Sequence, residues 1–207
     1  MDINQYKWEL HEELYGEEVP FTEENPTEAT EDDIKFGIED DFGVVYSKDR
    51  KKLLKGNEKI TTYSIKKGTR VICDCAFWWS ESLQHITIPD SVTRIGDKAF
   101  FNCSSLQQIT IPNSVFVIGV GAFDNCTSLQ QITIPDTVKY LEMGVFHNCK
   151  SLQQIIIPDS VKDIGDLAFL GCDSLQKIII PDGSVEKFKK MIPEILWDKL
   201  YCLKKIG

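Results

Sequence analysis

Residues 106–128 read LQQITIPNSVFVIGVGAFDNCTS, and this frame returns every 23 residues along much of the 207-residue chain. Leucine recurs at Leu83, Leu106, Leu129, Leu152 and Leu175, each followed by Ile-x-Ile-Pro ending at Pro89, Pro112, Pro135, Pro158 and Pro181. Phenylalanine recurs at Phe77, Phe100, Phe123, Phe146 and Phe169, and the last four are trailed three residues later by Cys103, Cys126, Cys149 and Cys172. No insertion breaks the register between residues 83 and 182. Self-similarity at a fixed period of this length marks supersecondary units stacked into a solenoid.

Inside one unit, Ile109 and Ile111 stand two apart and share one face of a strand, while Thr110 takes the other. Pro112 ends that strand. Val115 and Ile118 supply a second inward edge, and Gly119 sits where the chain turns without a Cβ clash. Ala122, Phe123 and Cys126 predict a short helical turn, with Asp97 and Asp166 at the preceding position of their own units, where a carboxylate caps free N–H groups. Val120 and Met143 replace that aspartate in the middle units. Ordering backbone costs about 1–2 kcal/mol per residue, whereas each large apolar side chain contributes about 1.5–3 kcal/mol when buried. A lone unit therefore cannot fold, and its stability comes from its neighbours.

Written as Leu-x-x-Ile-x-Ile-Pro-x-x-Val-x-x-Ile-Gly-x-x-Ala-Phe-x-x-Cys, the unit resembles the BspA-like class of leucine-rich repeats over roughly residues 63–182. The resemblance implies an α/β leucine-rich-repeat solenoid with short parallel strands, and a role in adhesion or protein binding, often at bacterial surfaces. Upstream, Tyr63, Ile65, Ile72, Ala76 and Phe77 keep the period, while Lys66, Thr69, Cys73 and Ser80 stand at the Pro, Val, Gly and Cys positions of an imperfect first turn.

The flanks divide the chain further. Residues 1–33 form an acidic, partly flexible arm, of which 17–33, with two prolines and many Glu and Thr, reads as a linker. Residues 34–60 predict a β-hairpin cap, in which residues 42–47 and 52–55 flank a turn at 48–51. The solenoid spans 61–182. Residues 183–207 predict a helical cap, with apolar residues at Val185, Phe188, Met191 and Ile192, then a second helical stretch after Pro193 through Ile195, Leu196, Trp197, Leu200 and Tyr201.

Net charge is −9, unevenly spread. Residues 1–41 hold fifteen acids against Lys7 and Lys35, a local net of −13, and the remainder is +4. An acidic arm on a mildly basic body argues against a nucleic-acid partner, which demands a basic face. No run reaches the roughly 18 apolar residues of a membrane span, and the first twenty residues carry no basic-then-apolar leader. The sequence therefore predicts a cytoplasmic protein, with secretion or surface display as the alternative if a leader has been removed.

Catalytic chemistry is not legible. No phosphate-binding loop, dinucleotide fingerprint, nucleophile elbow or His-Glu-x-x-His occurs, so a non-catalytic protein without metal or cofactor is expected. His11, His85 and His147 fall at unrelated repeat positions. The seven cysteines are an odd number, and the close pair Cys73-x-Cys75 is expected to point in opposite directions. The column Cys103, Cys126, Cys149, Cys172 stacks at about 4.8 Å, beyond the roughly 3.5–4.5 Å between Cβ atoms of a disulfide. Buried thiols acting as small hydrophobes with a weak donor are expected, and Ser80 in the same column fits that role.

If inward positions are set by packing, recognition resides in outward ones. On the strands these are His85/Thr87, Gln108/Thr110, Gln131/Thr133, Gln154/Ile156 and Lys177/Ile179, beside a nearly constant Gln84, Gln107, Gln130, Gln153, Gln176 column. Phe116, Val117, Val120, Tyr140 and Met143 fall on variable positions of two adjacent units, where other units carry Thr93, Arg94, Asp97, Lys162, Asp163 and Asp166. Contiguous exposed apolar groups mark contact surfaces. The candidate protein-binding set is therefore Phe116, Val117, Val120, Tyr140 and Met143, with Thr110, Thr133, Ile156 and Ile179 from the strand face. Five strands at about 4.8 Å, three residues of about 3.3 Å each, give a strand face of roughly 240 Å². An interface buries about 800 Å² per partner. A protein partner of unknown identity must also grip the flanks, or the chain self-associates. The alternative function is a bacterial surface adhesin binding host protein or glycan.

Overall fold

The computed structural model describes residues 27–203. Before the repeats come α1 (Glu31–Lys35) and three short antiparallel strands, β1 (Ile38–Glu39), β2 (Val45–Tyr46) and β3 (Lys52–Lys55). Each turn of the solenoid then contributes two strands. In order these are β4 (Thr62–Ser64) and β5 (Val71–Ile72), β6 (His85–Thr87) and β7 (Arg94–Ile95), β8 (Gln108–Thr110) and β9 (Val117–Ile118), β10 (Gln131–Thr133) and β11 (Tyr140–Leu141), β12 (Gln154–Ile156) and β13 (Asp163–Ile164). The chain closes with β14 (Lys177–Pro181), α2 (Val185–Lys189), a 3₁₀ segment (Glu194–Lys199) and β15 (Leu200–Leu203).

First strands of successive turns pair in parallel as a seven-stranded sheet, β15-β14-β12-β10-β8-β6-β4. Second strands form a sheet ordered β1-β2-β3-β5-β7-β9, separate from a β11-β13 pair. Between the sheets lies one continuous core, in which Phe77, Phe100, Phe123 and Phe146 are fully buried. Their rings, with Phe169, stack nearly parallel at centroid distances of 5.4, 5.4, 5.7 and 6.1 Å.

The corner between second strand and next turn differs from the helical turn that the sequence predicts. Ala122 N–H donates to Gly119 O and Cys126 N–H to Phe123 O, which are tight-turn bonds. The alternate groups Gly121, Phe123 and Asn125 donate instead to Met143, Val145 and His147 of the following turn. A helix would turn all of these N–H groups inward along its own axis and leave the stacked corners unconnected. Gly121 (φ 57°) and Asn125 (φ 58°) supply the left-handed backbone that makes the alternation possible. Asp97 likewise caps no helix: its Oδ1 accepts from Val120 N–H of the next turn at 3.0 Å, as Asp74 accepts from Asp97 N–H at 2.8 Å.

At the N-terminal end β3 pairs in parallel with β5 and so covers the first turn. Part of the stretch read as linker is folded: Thr30 and Asp33 form a reciprocal capping box, Asp33 meets Lys52 at 2.8 Å, and Thr27 O accepts from Asp74 N–H. The rest of the arm, residues 1–26, lies outside the described residues. At the other end the cap is only partly helical. Residues 200–203 pair in parallel with β14, because an edge strand presents a row of backbone groups that want partners. Phe188, fully buried, seals the last turn from α2.

A polar network ties the N-terminal cap to the first turn. Tyr46 and Tyr63 hydroxyls meet at 2.7 Å, and Tyr63 donates to Asp40 Oδ2 at 2.6 Å. Asp40 Oδ1 accepts from Phe42 and Val44 N–H, and Lys66 Nζ lies 3.4 Å from its carboxylate. Burial pushes the Asp40 carboxyl up, but these donors outweigh it and hold it below its ordinary value. A depressed folded-state value stabilises the fold at pH above the unfolded carboxyl's value, and this contribution fades as pH falls through the folded one. Asp40→Asn is expected to cost about 1.5–3 kcal/mol at neutral pH, the range for hydrogen bonds to a charged group. It should also flatten the acid limb of the stability curve below about pH 4. Urea denaturation between neutral and acidic pH checks both, and an unchanged acid limb contradicts the role given to Asp40.

Candidate functional site

Both ladders weaken at one place. Between third and fourth turns, β8 and β10 share the single register pair Gln131↔Gln108, whereas β6–β8 and β10–β12 each share three. On the second face no pairing joins β9 to β11 among the described residues, and the sheet divides there. The interruption coincides with a change of residue type. Gly96, Gly119 and Gly165 donate to Ile72, Ile95 and Leu141 of the turn before, and a Cβ on any of them would fall within 2.6 Å of a backbone N in that turn. Glu142 stands in this glycine column at the fourth turn. The ladder is interrupted where this column carries a Cβ and where Val120 lacks the carboxylate with which Asp97 bridges forward, while the corner bonds from Gly121, Phe123 and Asn125 still join the two turns.

The residues singled out in the sequence surround this seam but occupy two faces. Thr110 and Thr133 are exposed on β8 and β10 and line a shallow concavity of about 430 Å³ with Gln108, Asn113 and Gln131. Ile156 and Ile179 continue that face, half-buried. Gln154 donates its amide to Gln131 at 2.8 Å, which joins the fourth and fifth turns in the strand column. Phe116, Val117, Val120, Tyr140 and Met143 lie on the second face and its corner. Phe116 is 39% and Met143 52% exposed, while Val117, Val120 and Tyr140 are half-buried. The core separates the two groups, so the structure does not assemble all nine into one surface. It adds Arg94, whose guanidinium sits 4.9 Å from the Phe116 ring centroid and whose pKa burial lowers.

A further exposed aromatic group, Trp78 and Trp79 beside Phe101, is absent from the sequence-based set. The column comparison that isolates Phe116 would have found it, because later turns place Asp124, His147 and asparagines there.

The cysteines are free thiols. Cys73 is buried and Cys75 exposed, so the pair diverges. Cys103, Cys126, Cys149 and Cys172 donate to the carbonyls of Phe77, Phe100, Phe123 and Phe146 at 3.1–3.2 Å, each tying a turn to the one before. Burial raises the Cys103 and Cys172 thiols to about 12 and those of Cys126 and Cys149 well above the ordinary value. These groups stay protonated at neutral pH and are poor nucleophiles. Among the described residues no helix is long and apolar enough to cross a membrane.

A family model described as BspA type leucine rich repeat region matches residues 70–192 in six copies. Among solved structures, a leucine rich cell surface protein from Faecalibacterium prausnitzii is 29% identical at a TM-score of 0.69, over 74% of this chain and 41% of that one. A T. pallidum leucine rich repeat protein is 27% identical at a TM-score of 0.62, over 83% and 81%. The pneumococcal vaccine antigen PcpA, 24% identical at 0.62 over 77% and 44%, shows the fold alone. This chain thus spans 41% of the length of the F. prausnitzii protein. A sequence search of curated proteins finds no match. The cytoplasmic location expected from the sequence is corrected by these relatives, one of which is a cell surface protein. That expectation rested on the missing leader, and a leader is removed from a mature chain, so its absence carries no positional information.

Proposed function

The chain belongs to the BspA type leucine rich repeat family, and from that membership we propose that it is a non-catalytic protein-interaction module that docks its partner at the seam between third and fourth turns. One observation carries the reading. Phe116 and Met143 stand exposed beside Tyr140, on two adjacent turns, in columns that other turns fill with charged or hydroxyl side chains. Aromatic residues and arginine are enriched in protein interfaces, and Arg94 already stacks on Phe116. The interrupted ladder beneath leaves this surface freer to adjust than the turns on either side.

Affinity capture from the native cell, with mass spectrometry, identifies the partner, and Phe116→Glu with Tyr140→Glu tests the surface. The double variant is expected to weaken binding by about a hundredfold, two hot-spot contacts of roughly 1.4 kcal/mol each. Both side chains lie outside the core, so the melting temperature should hold. Unchanged affinity in the folded double variant refutes the surface.

A further inference from the structure

The corner edge of the first turns carries an exposed group that the protein-binding surface does not use. Trp78 and Trp79 are 54% and 48% exposed. Their rings meet edge to face at 6.1 Å, and each reaches Phe101 of the next turn, at 6.4 and 6.5 Å. Trp79 also has a φ of +60°. In the same column stand Asn102 (φ 57°), Asn125 (φ 58°), Asn148 (φ 54°) and Gly171 (φ 75°), residue types that tolerate left-handed backbone. A bulky side chain there costs about 1–2 kcal/mol. An indole that is both exposed and strained, where asparagine would be neither, has no explanation in the packing of the solenoid.

A polar row continues from the rings along the same edge. The Asn102 amide donates to the Glu81 carboxylate at 3.0 Å. One turn further, Asp124 Oδ1 accepts from the Asn125 amide at 2.9 Å and faces His147 Nδ1 at 3.0 Å. Trp78, Phe101, Asp124 and His147 occupy one column, so ring faces give way to planar hydrogen-bonding groups at intervals of one turn, about 4.8 Å.

We propose that this edge is a binding site for an oligosaccharide. The indole and phenyl faces stack on the C–H face of one or two sugar rings, and Asn102, Glu81, Asp124 and His147 exchange hydrogen bonds with hydroxyls of the units that follow. Three features select this ligand class. The site is a stripe one or two side chains wide, far short of the roughly 800 Å² a protein partner buries. Its polar members are the Glu81 and Asp124 carboxylates beside the Asn102 amide and the His147 ring, a mix of acceptors and donors that suits hydroxyls and repels phosphate. The turn spacing is close to the length of one pyranose unit, so successive sugars meet successive turns. The proposal stands apart from the protein-binding reading, because neither Phe116 nor Tyr140 belongs to this edge.

The test titrates the full chain, by calorimetry and tryptophan fluorescence, with cellotetraose, chitotetraose, lacto-N-tetraose and mannotetraose. At least one is expected to bind. Trp79→Asn installs the residue found in three later turns, so it should weaken binding about tenfold or more while holding or raising the melting temperature. Trp78→Ala, whose backbone is not left-handed, should give the same loss, and Phe116→Glu should leave sugar binding unchanged. Failure of all four sugars to bind, or affinity that survives both tryptophan substitutions, overturns the proposal.

Discussion

Phe123→Ala is expected to destabilise the chain by about 3–5 kcal/mol, the range for removing a fully buried aromatic ring. At roughly 2–4 °C per kcal/mol for a domain of this size, the melting temperature should fall by about 6–20 °C. The size follows from the stack. Phe123 is 0% exposed and its ring faces neighbours on both sides, at 5.4 Å to Phe100 and 5.7 Å to Phe146. Truncation opens a cavity between two rigid turns that are also held by the corner bonds Phe100 N–H to Ala122 O and Phe123 N–H to Val145 O, so the gap cannot collapse. Phe169→Ala is the internal control. That ring is 7% exposed and stacks on Phe146 alone, at 6.1 Å. It should cost distinctly less. Chemical denaturation of both variants checks the order, and equal losses would show that the stack does not transmit stability between turns.

Gly119→Ala is expected to cost toward the upper end of the roughly 1–3 kcal/mol of an overpacked site, for the addition of one methyl group. A Cβ at this residue would fall 2.6 Å from Asp97 N and 2.7 Å from Gly96 C, both backbone atoms of the turn before. The turns must part, which breaks the 2.9 Å bond from Gly119 N–H to Ile95 O and strains the bridge from Asp97 to Val120 N–H. The variant is expected to reproduce between second and third turns the interruption found beside Glu142 between third and fourth. Hydrogen exchange should therefore show faster exchange at residues 117–119, with the phenylalanine stack intact. Unchanged protection there would mean that side-chain bulk in this column does not divide the sheet.

Much of the fold was legible because the repeat is strict. Ile109, Ile111, Val115, Ile118 and Phe123 are all buried, as their spacing predicts, since one inward pattern repeated at a constant period has a single way to pack on itself. The corner departs from the helix that Ala122, Phe123 and Cys126 predict locally, because only the neighbouring turn offers the carbonyls that draw alternate N–H groups outward. Leu200 and Tyr201, in a stretch whose spacing predicts helix, form a strand for a similar reason: the open edge of β14 is a long-range feature with no local signature.

The candidate site was half legible. Substitution within a column exposes Phe116, Tyr140 and Met143 to a reader of the sequence alone, because the columns define what an ordinary turn carries. Strict repetition alone thus specifies the solenoid, its inward faces and the positions where two turns depart from the pattern. Tertiary structure decided the rest. It divided the nine candidate residues between two faces, because the first and second strands of each turn lie on opposite sides of the core. It also gave Glu142 a structural setting, at the interruption of the second-face ladder, since a Cβ in that column matters only when another turn's backbone lies against it.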